Sequence, residues 1–246
     1  MSAILTADDP GPYPVGERSA SALLRALFPA GVAVVETWRP SPWETEPLFA
    51  VEAAGLSAGA LERRQREFAL GRACARRALA ALGRPAVTVP VGARREPLWP
   101  PGVVGSLTHC ATYGAAAVSD SASILALGID AEVHAPLSER VIAKICTASE
   151  RHWLRDAPAT GIHWPTLIFS AKESVYKAWF PVTRQWLGFL DVDLDLDPEG
   201  GTFQARLTVP DTAASAGFPA SVTGRFVCLE DLILTAVVVP ATGQHG

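Results

Sequence analysis

The sequence predicts an α+β fold with two subdomains. A long helical stretch and several strand-like runs occur in each half of the chain, the end of the chain is rich in strand patterns, and no internal repeat is visible. A division near residue 125 follows, giving an N-terminal subdomain over 1–125 and a C-terminal one over 126–246. At 246 residues the chain has enough length to bury a sizeable core in either arrangement.

Taken in order, residues 1–18 are rich in Pro, Gly and Asp and read as a loose lead-in. Ser19–Leu27 predicts a short helix and Val32–Thr37 a strand. Residues 57–82 form a long helical stretch, with Phe68, Ala75, Leu79 and Leu82 on one face and Gly83 and Pro85 at its end. Val87–Val91 and Val103–Leu107 read as strands. Tyr113–Ser119 and Ser123–Asp130 are expected to pair across the turn Ser119-Asp120-Ser121. Helices follow at about 138–145, 149–155 and 165–179, the last ended by Pro181, which cannot donate the next helical hydrogen bond. Asp191–Asp197 alternates as a half-buried or edge strand does. Phe203–Val209, Ser221–Cys228 and Leu232–Val239 complete the β-rich end.

Composition excludes several classes. Hydrophobic residues make up 49% and charged ones 19%, so the chain is globular rather than disordered. A net charge of −4 argues against general nucleic-acid binding. Cys74, Cys110, Cys146 and Cys228 form no CxxC pair, which argues against a zinc site or disulfide scaffold and for a reducing cytoplasm. No apolar run reaches the ~20 residues of a membrane helix, and the first residues lack a signal-peptide core.

Two acidic segments stand out. In Gly128-Ile129-Asp130-Ala131-Glu132 the carboxylates alternate, so in a strand they share one face. Like charges that close repel unless a cation or hydrogen bonds compensate them; a solvated strand end is the alternative. In Phe169-Ser170-Ala171-Lys172-Glu173-Ser174-Val175-Tyr176-Lys177, Glu173 and Lys177 share a helix face, with Lys172 and Tyr176 on the adjoining one. A surface salt bridge would explain that spacing too, but Phe169, Val175, Trp179 and Phe180 make the helix apolar enough to line a cleft. Arg63, Arg64, Arg66, Arg72, Arg76 and Arg77 concentrate guanidinium forks suited to phosphate on one helix, a solvated helix face being the alternative for some of them, and Arg94-Arg95 adds a second basic point before Glu96-Pro97. His109, in Gly105-Ser106-Leu107-Thr108-His109-Cys110, can donate to a phosphate or be structural. Ser106, His109 and Asp130 could be imagined as a hydrolase triad, but the chain has no G-x-S-x-G elbow. Neither a Walker loop nor a GxGxxG is present.

In this order and spacing, Gly105–Cys110, Gly128–Glu132 and Phe169–Lys177 resemble the Sfp-type 4′-phosphopantetheinyl transferases. The family's G-[IV]-D-x-E and [FW]-[SCT]-x-K-E-[SA]-x-x-K blocks are complete, and the likeness covers most of residues 60–180. The resemblance implies a monomer of two similar subdomains related by a pseudo-twofold, with coenzyme A in the cleft between them. It implies attack of a serine hydroxyl of an apo acyl or peptidyl carrier protein on the β-phosphate of coenzyme A, releasing 3′,5′-ADP. Asp130, Glu132 and Glu173 would then hold Mg²⁺ or Mn²⁺. Glu173 would serve as base and Lys177 would assist. Arg64, Arg72, Arg94 and His109 would hold the nucleotide phosphates, and Lys172 would lie near the pyrophosphate. The carrier would dock on the C-terminal half, with Trp153, Trp179 and Trp186 as candidate contacts or, alternatively, core residues. A Mg²⁺-dependent pyrophosphate hydrolase and a non-catalytic binding module are the competing readings.

Overall fold

The computed structural model describes residues 23–241, apart from positions 58, 112, 210–214 and 216. The lead-in over 1–18 and the first part of the expected helix Ser19–Leu27 lie outside the described residues. Within them, only a 3-10 turn at Arg25–Leu27 is seen there.

The first layer is a three-stranded antiparallel sheet. Strand β1 (Ala33–Trp38) and strand β2 (Val103–His109) flank β3 (Tyr113–Asp120), in the order β1-β3-β2. A one-turn helix α1 (Ala50–Ala53) precedes α2 (Glu62–Ala81), twenty residues long, which covers this sheet. Leu70, Cys74, Ala78 and Leu79 of α2 bury themselves against Ala116 and Val118. The small residues of β3 permit the close fit: a Cβ on Gly114 would stand 2.6 Å from a Leu70 methyl.

The second layer is a five-stranded antiparallel sheet. Its strands are β4 (Ile124–Val133), β5 (Val192–Asp197), β6 (Thr202–Leu207), β7 (Ser221–Cys228) and β8 (Leu232–Pro240), in the order β4-β8-β7-β6-β5. Short helices α3 (Glu139–Ile145) and α4 (Ala148–Trp153) lead to α5 (Trp164–Thr183), which lies on this sheet. Its core combines Leu167, Ile168, Ala171, Val175 and Trp179 with Phe203, Ile233 and Val237. Each sheet therefore carries one twenty-residue helix, and the class is α+β.

Three expectations are corrected. Tyr113–Ser119 and Ser123–Asp130 do form strands, but they do not pair with each other: both edges of β3 are taken by β1 and β2, and β4 pairs with β8. Val87–Val91 is not a strand. Pro90 has no N–H to give, Val89 N–H donates to the Glu52 carboxylate (3.0 Å), and one bridge, Val91 with Pro97, remains. Pro181 does not end α5. It removes only its own N–H, and the last turn is closed beyond it by Arg184 N–H to Phe180 O (2.9 Å) and Thr183 Oγ1 to Trp179 O (3.1 Å).

Candidate active site

The site grows from the seam between the two sheets. One edge of β4 pairs with β8; its other edge faces β2 without a backbone ladder. Unpaired strand N–H groups need acceptors when buried. Two hydroxyls supply them: Ser106 Oγ accepts from Ile129 N–H (3.1 Å), and Thr108 Oγ1 accepts from Ala131 N–H (3.0 Å). The Ser-Leu-Thr alternation of β2 places both hydroxyls on the face toward β4.

Helix α5 crosses β4 at Gly128. A Cβ there would lie 1.9 Å from the Ser174 carbonyl oxygen and 2.8 Å from Ala178 N, so only glycine lets the helix backbone rest on the strand. Two residues along β4, Asp130 is buried and held from both sides of that contact. Ser170 Oγ donates to Oδ2 (2.8 Å), Lys177 Nζ to Oδ1 (2.7 Å) and Thr108 Oγ1 to Oδ1 (3.4 Å). Thr235, opposite Asp130 on β8, completes the support: its hydroxyl lies 3.0 Å from Ser170 Oγ and donates to Ser170 O (2.9 Å). Lys177 thus reaches across to the strand rather than pairing with Glu173 one turn earlier.

The carboxylates repel one another. Burial, then the charge of Asp130, pushes Glu132 up to about 7; Glu173 adds to this and Lys177 opposes it. Burial likewise raises Glu173, with Lys177 countering and Asp130 reinforcing. Among the described residues no group of three His, Cys, Asp or Glu side chains stands close enough to hold a metal ion as placed. The donor chemistry nevertheless fits a hard cation: three carboxylates cluster with one ammonium, and the neighbouring charge of Asp130 raises both Glu132 and Glu173. Mg²⁺ ordinarily takes one or two carboxylates and completes its shell with water and phosphate, so a ready-made protein cage is not required.

Beside this cluster runs a cleft of about 520 Å³, lined by Arg64, Arg72, Arg94, His109, Glu173 and Lys177 among others. Arg72 is buried, and burial lowers its guanidinium to about 10. Its Nε has no hydrogen-bond partner, and the group stacks 4.3 Å from the Phe68 ring centroid. A buried donor without an acceptor is costly, and an anion entering the cleft would supply the missing acceptor. Arg64 is half-exposed, 4.0 Å from Glu67. Burial pushes the His109 imidazole down to about 4. The Glu67 charge opposes this, and Lys177, Arg64 and Arg39 reinforce it. Arg94 sits exposed at the tip of the 91–97 turn.

Lys172 corrects the sequence reading. It does not face the cleft: its ammonium is buried and donates to Ile145 O, Glu150 Oε2 and Phe189 O, each at 2.8 Å. Glu150 in turn accepts from the amides of Thr147 (2.7 Å) and Leu194 (2.9 Å). The pair ties α4, α5 and β5 together. Lys172 and Glu173 are adjacent on a helix about 100° apart, and the apolar side of α5 carries Lys172 inward. Of the tryptophans, Trp179 is core, Trp153 packs edge-on against Trp164, and Trp186 is exposed. Sequence alone does not mark Thr108 and Ser170 as supports of Asp130, nor Ser106 as the acceptor for the Ile129 amide. Their hydroxyls are small, and the partners lie in other strands, so only the fold brings them together.

A chain that sets guanidiniums, an imidazole, carboxylates and an ammonium around one cleft has the build of a group-transfer enzyme for an anionic substrate. Residues 52–119 match the 4′-phosphopantetheinyl transferase N-terminal domain, and residues 126–223 match the 4′-phosphopantetheinyl transferase superfamily. The chain is 41% identical to 4′-phosphopantetheinyl transferase Svp of Streptomyces mobaraensis, over 89% of its own length and 90% of the relative's. It is 40% identical to Npt of Nocardia iowensis (87% and 99% covered) and 37% identical to PptT of Mycobacterium tuberculosis (92% and 99% covered), both also 4′-phosphopantetheinyl transferases. The chain belongs to the 4′-phosphopantetheinyl transferase superfamily and is an enzyme of that activity. Among the described residues no helix is long and apolar enough to cross a membrane.

Two outcomes follow from these placements. Lys172→Ala leaves the Glu150 carboxylate buried and unpaired, and should cost about 3–5 kcal/mol of stability in urea unfolding. The folded fraction should keep its coenzyme A affinity; a selective loss of affinity without loss of stability would return Lys172 to the substrate site. For His109, the unfolded chain binds the extra proton between the ordinary value of 6.5 and the folded value of about 4. Stability therefore falls as pH drops through that window. His109→Gln should flatten this limb of the pH–stability curve, and an unchanged slope would contradict the assignment.

Proposed function

We propose that the protein transfers the 4′-phosphopantetheine group of coenzyme A to a serine hydroxyl of an apo acyl or peptidyl carrier protein, with Mg²⁺ required and 3′,5′-ADP released. The observation that carries this reading is one cleft lined both by Arg72, whose Nε has no partner, with His109, and by Glu173 and Lys177 of α5. A substrate with phosphates at one end and a transferable diphosphate linkage at the other matches that division. In the family reading, Arg64, Arg72, Arg94 and His109 bind the nucleotide phosphates. Arginine forks suit phosphate oxygens, and the buried Arg72 gains an acceptor for its free Nε. A neutral His109 donates one ring N–H and needs no counter-charge in the free enzyme.

Lys177 orients the diphosphate from the same helix, leaving or sharing its contact with Asp130. Glu173 takes the proton as the serine oxygen bonds to the β-phosphorus and the bridging phosphoanhydride bond breaks toward 3′,5′-ADP. Burial raises the Glu173 carboxyl, which makes it a stronger proton acceptor than an exposed carboxylate. Asp130, Glu132 and Glu173 would hold the metal, which when bound would neutralise charge developing on the 5′-phosphate of the leaving 3′,5′-ADP. Trp186, exposed just past α5, supports placing the carrier on the C-terminal half. We further propose a monomer working in the cytoplasm. Among the described residues all four cysteines are free, as a reducing compartment favours.

The test is to incubate the protein with coenzyme A, Mg²⁺ and an apo carrier and to weigh the carrier by mass spectrometry. A gain of one phosphopantetheine is expected, whereas free pantetheine phosphate with an unmodified carrier would indicate hydrolysis instead. Glu173→Gln should lower turnover by about 10²–10⁴-fold, with only a modest change in coenzyme A affinity. Near-normal turnover in that variant would remove Glu173 from both roles.

A further inference from the structure

The turn that carries Arg94 is poorly supported by backbone alone. It has one isolated bridge, Val91 with Pro97, and the amide bonds Gly92 N–H to Glu96 O (2.7 Å) and Arg95 N–H to Gly92 O (3.0 Å). Arg95 occupies the left-handed region at φ 70°, which a side chain rarely adopts without other support. That support comes from Glu96. Its side chain folds back under the turn, and a Cβ on Gly92 would stand 2.2 Å from its carboxyl carbon, so glycine leaves the space it fills. Glu96 Oε2 accepts from the Arg94 amide (2.9 Å).

The other carboxylate oxygen leaves the N-terminal half of the chain. Glu96 Oε1 accepts from Arg184 Nη1 at 2.8 Å. Arg184 is the residue that terminates α5, itself left-handed at φ 57° and anchored by its amide to Phe180 O. Its guanidinium also lies 5.9 Å from the Phe180 ring centroid. Glu96 is largely covered (side chain 12% exposed), whereas Arg184 is 60% exposed. One carboxylate therefore joins the Arg94 amide to the end of the helix that bears Glu173 and Lys177. Glu96, Arg94 and that helix line one cleft. Burial raises the Tyr176 phenol, and the charge of Arg94 is the first to oppose it, so the two side chains lie within electrostatic reach.

We propose that Glu96 and Arg184 form a strut between the 91–97 turn and the end of α5 that fixes the position of Arg94 relative to α5, making both of them positioning residues for the phosphates of coenzyme A. The inference rests on the reading of Arg94 as a phosphate ligand. Without the strut the turn can tilt away from α5, and the distance between the nucleotide-binding guanidinium and the transferring helix is no longer set. With its arginine open to solvent the ion pair adds little to global stability, so the effect belongs to binding rather than to folding.

A double-mutant cycle on the full chain separates the outcomes, with coenzyme A affinity measured by calorimetry. Arg184→Ala should weaken coenzyme A about fivefold, and in the Arg94→Ala background the same change should have no further effect, because coupled residues are not additive. Arg184→Lys should restore most of the loss. Turnover at saturating coenzyme A and the thermal midpoint should stay near those of the unaltered chain. Unchanged affinity in Arg184→Ala, or a loss that adds in full to that of Arg94→Ala, overturns the strut while leaving Arg94 as a ligand. If Arg94→Ala itself binds coenzyme A normally, the phosphate reading of Arg94 fails and the strut fails with it.

Discussion

Backbone contact between α5 and β4 at Gly128 is the constraint on which the site depends. Helices normally sit about 10 Å from a sheet because side chains separate them. Here the Ser174 carbonyl occupies the space a Cβ would need, so one turn of the helix touches the strand directly. From that point Ser170, one turn toward the start of α5, reaches Asp130 Oδ2, and Lys177, one turn toward its end, reaches Oδ1. Glu173, next to the contact, is thereby brought within electrostatic reach of Asp130 and Glu132. Moving the helix outward would lengthen all of these contacts together.

The strand is fixed from its other side by a different device. A ladder between β2 and β4 would have merged the two sheets into one. Instead Ser106 and Thr108 accept the β4 amides, so the sheets meet through side chains while the buried N–H groups remain satisfied. This arrangement holds His109 at the end of β2 and Asp130 on β4 on either side of one short seam. Arginines of α2 and the 91–97 turn therefore face Glu173 and Lys177 of α5 in one cleft, with His109 of β2 beside them. The paired lysine and glutamate at 172 and 150 do unrelated work, locking the helices and β5 behind the site.

Much of this was legible in the sequence because it is local. Alternation in Gly128–Glu132 and helical spacing in Phe169–Lys177 place Asp130 with Glu132 and Glu173 with Lys177 before any tertiary contact is known. What was not legible is set by partners distant in sequence. The failure of Tyr113–Ser119 to pair with Ser123–Asp130 depends on β1 and β8 occupying the edges. The inward turn of Lys172 depends on a buried acceptor set from three other segments. Pro181 lies close enough to the helix end for capping beyond it to compensate. The glycine of the Gly-Ile-Asp segment reads in sequence only as part of a pattern, and its packing reason emerges from the helix above it.

The most direct measurement of that central contact is the turnover of Gly128→Ala, taken at a temperature where circular dichroism reports a fully folded protein. The added methyl must displace α5 from β4, and a misplacement of about 1 Å at reacting groups can cost about 10²-fold in rate. The account predicts a loss approaching that size in kcat, with Glu173 and Lys177 still present. A folded Gly128→Ala enzyme with near-normal kcat would contradict it.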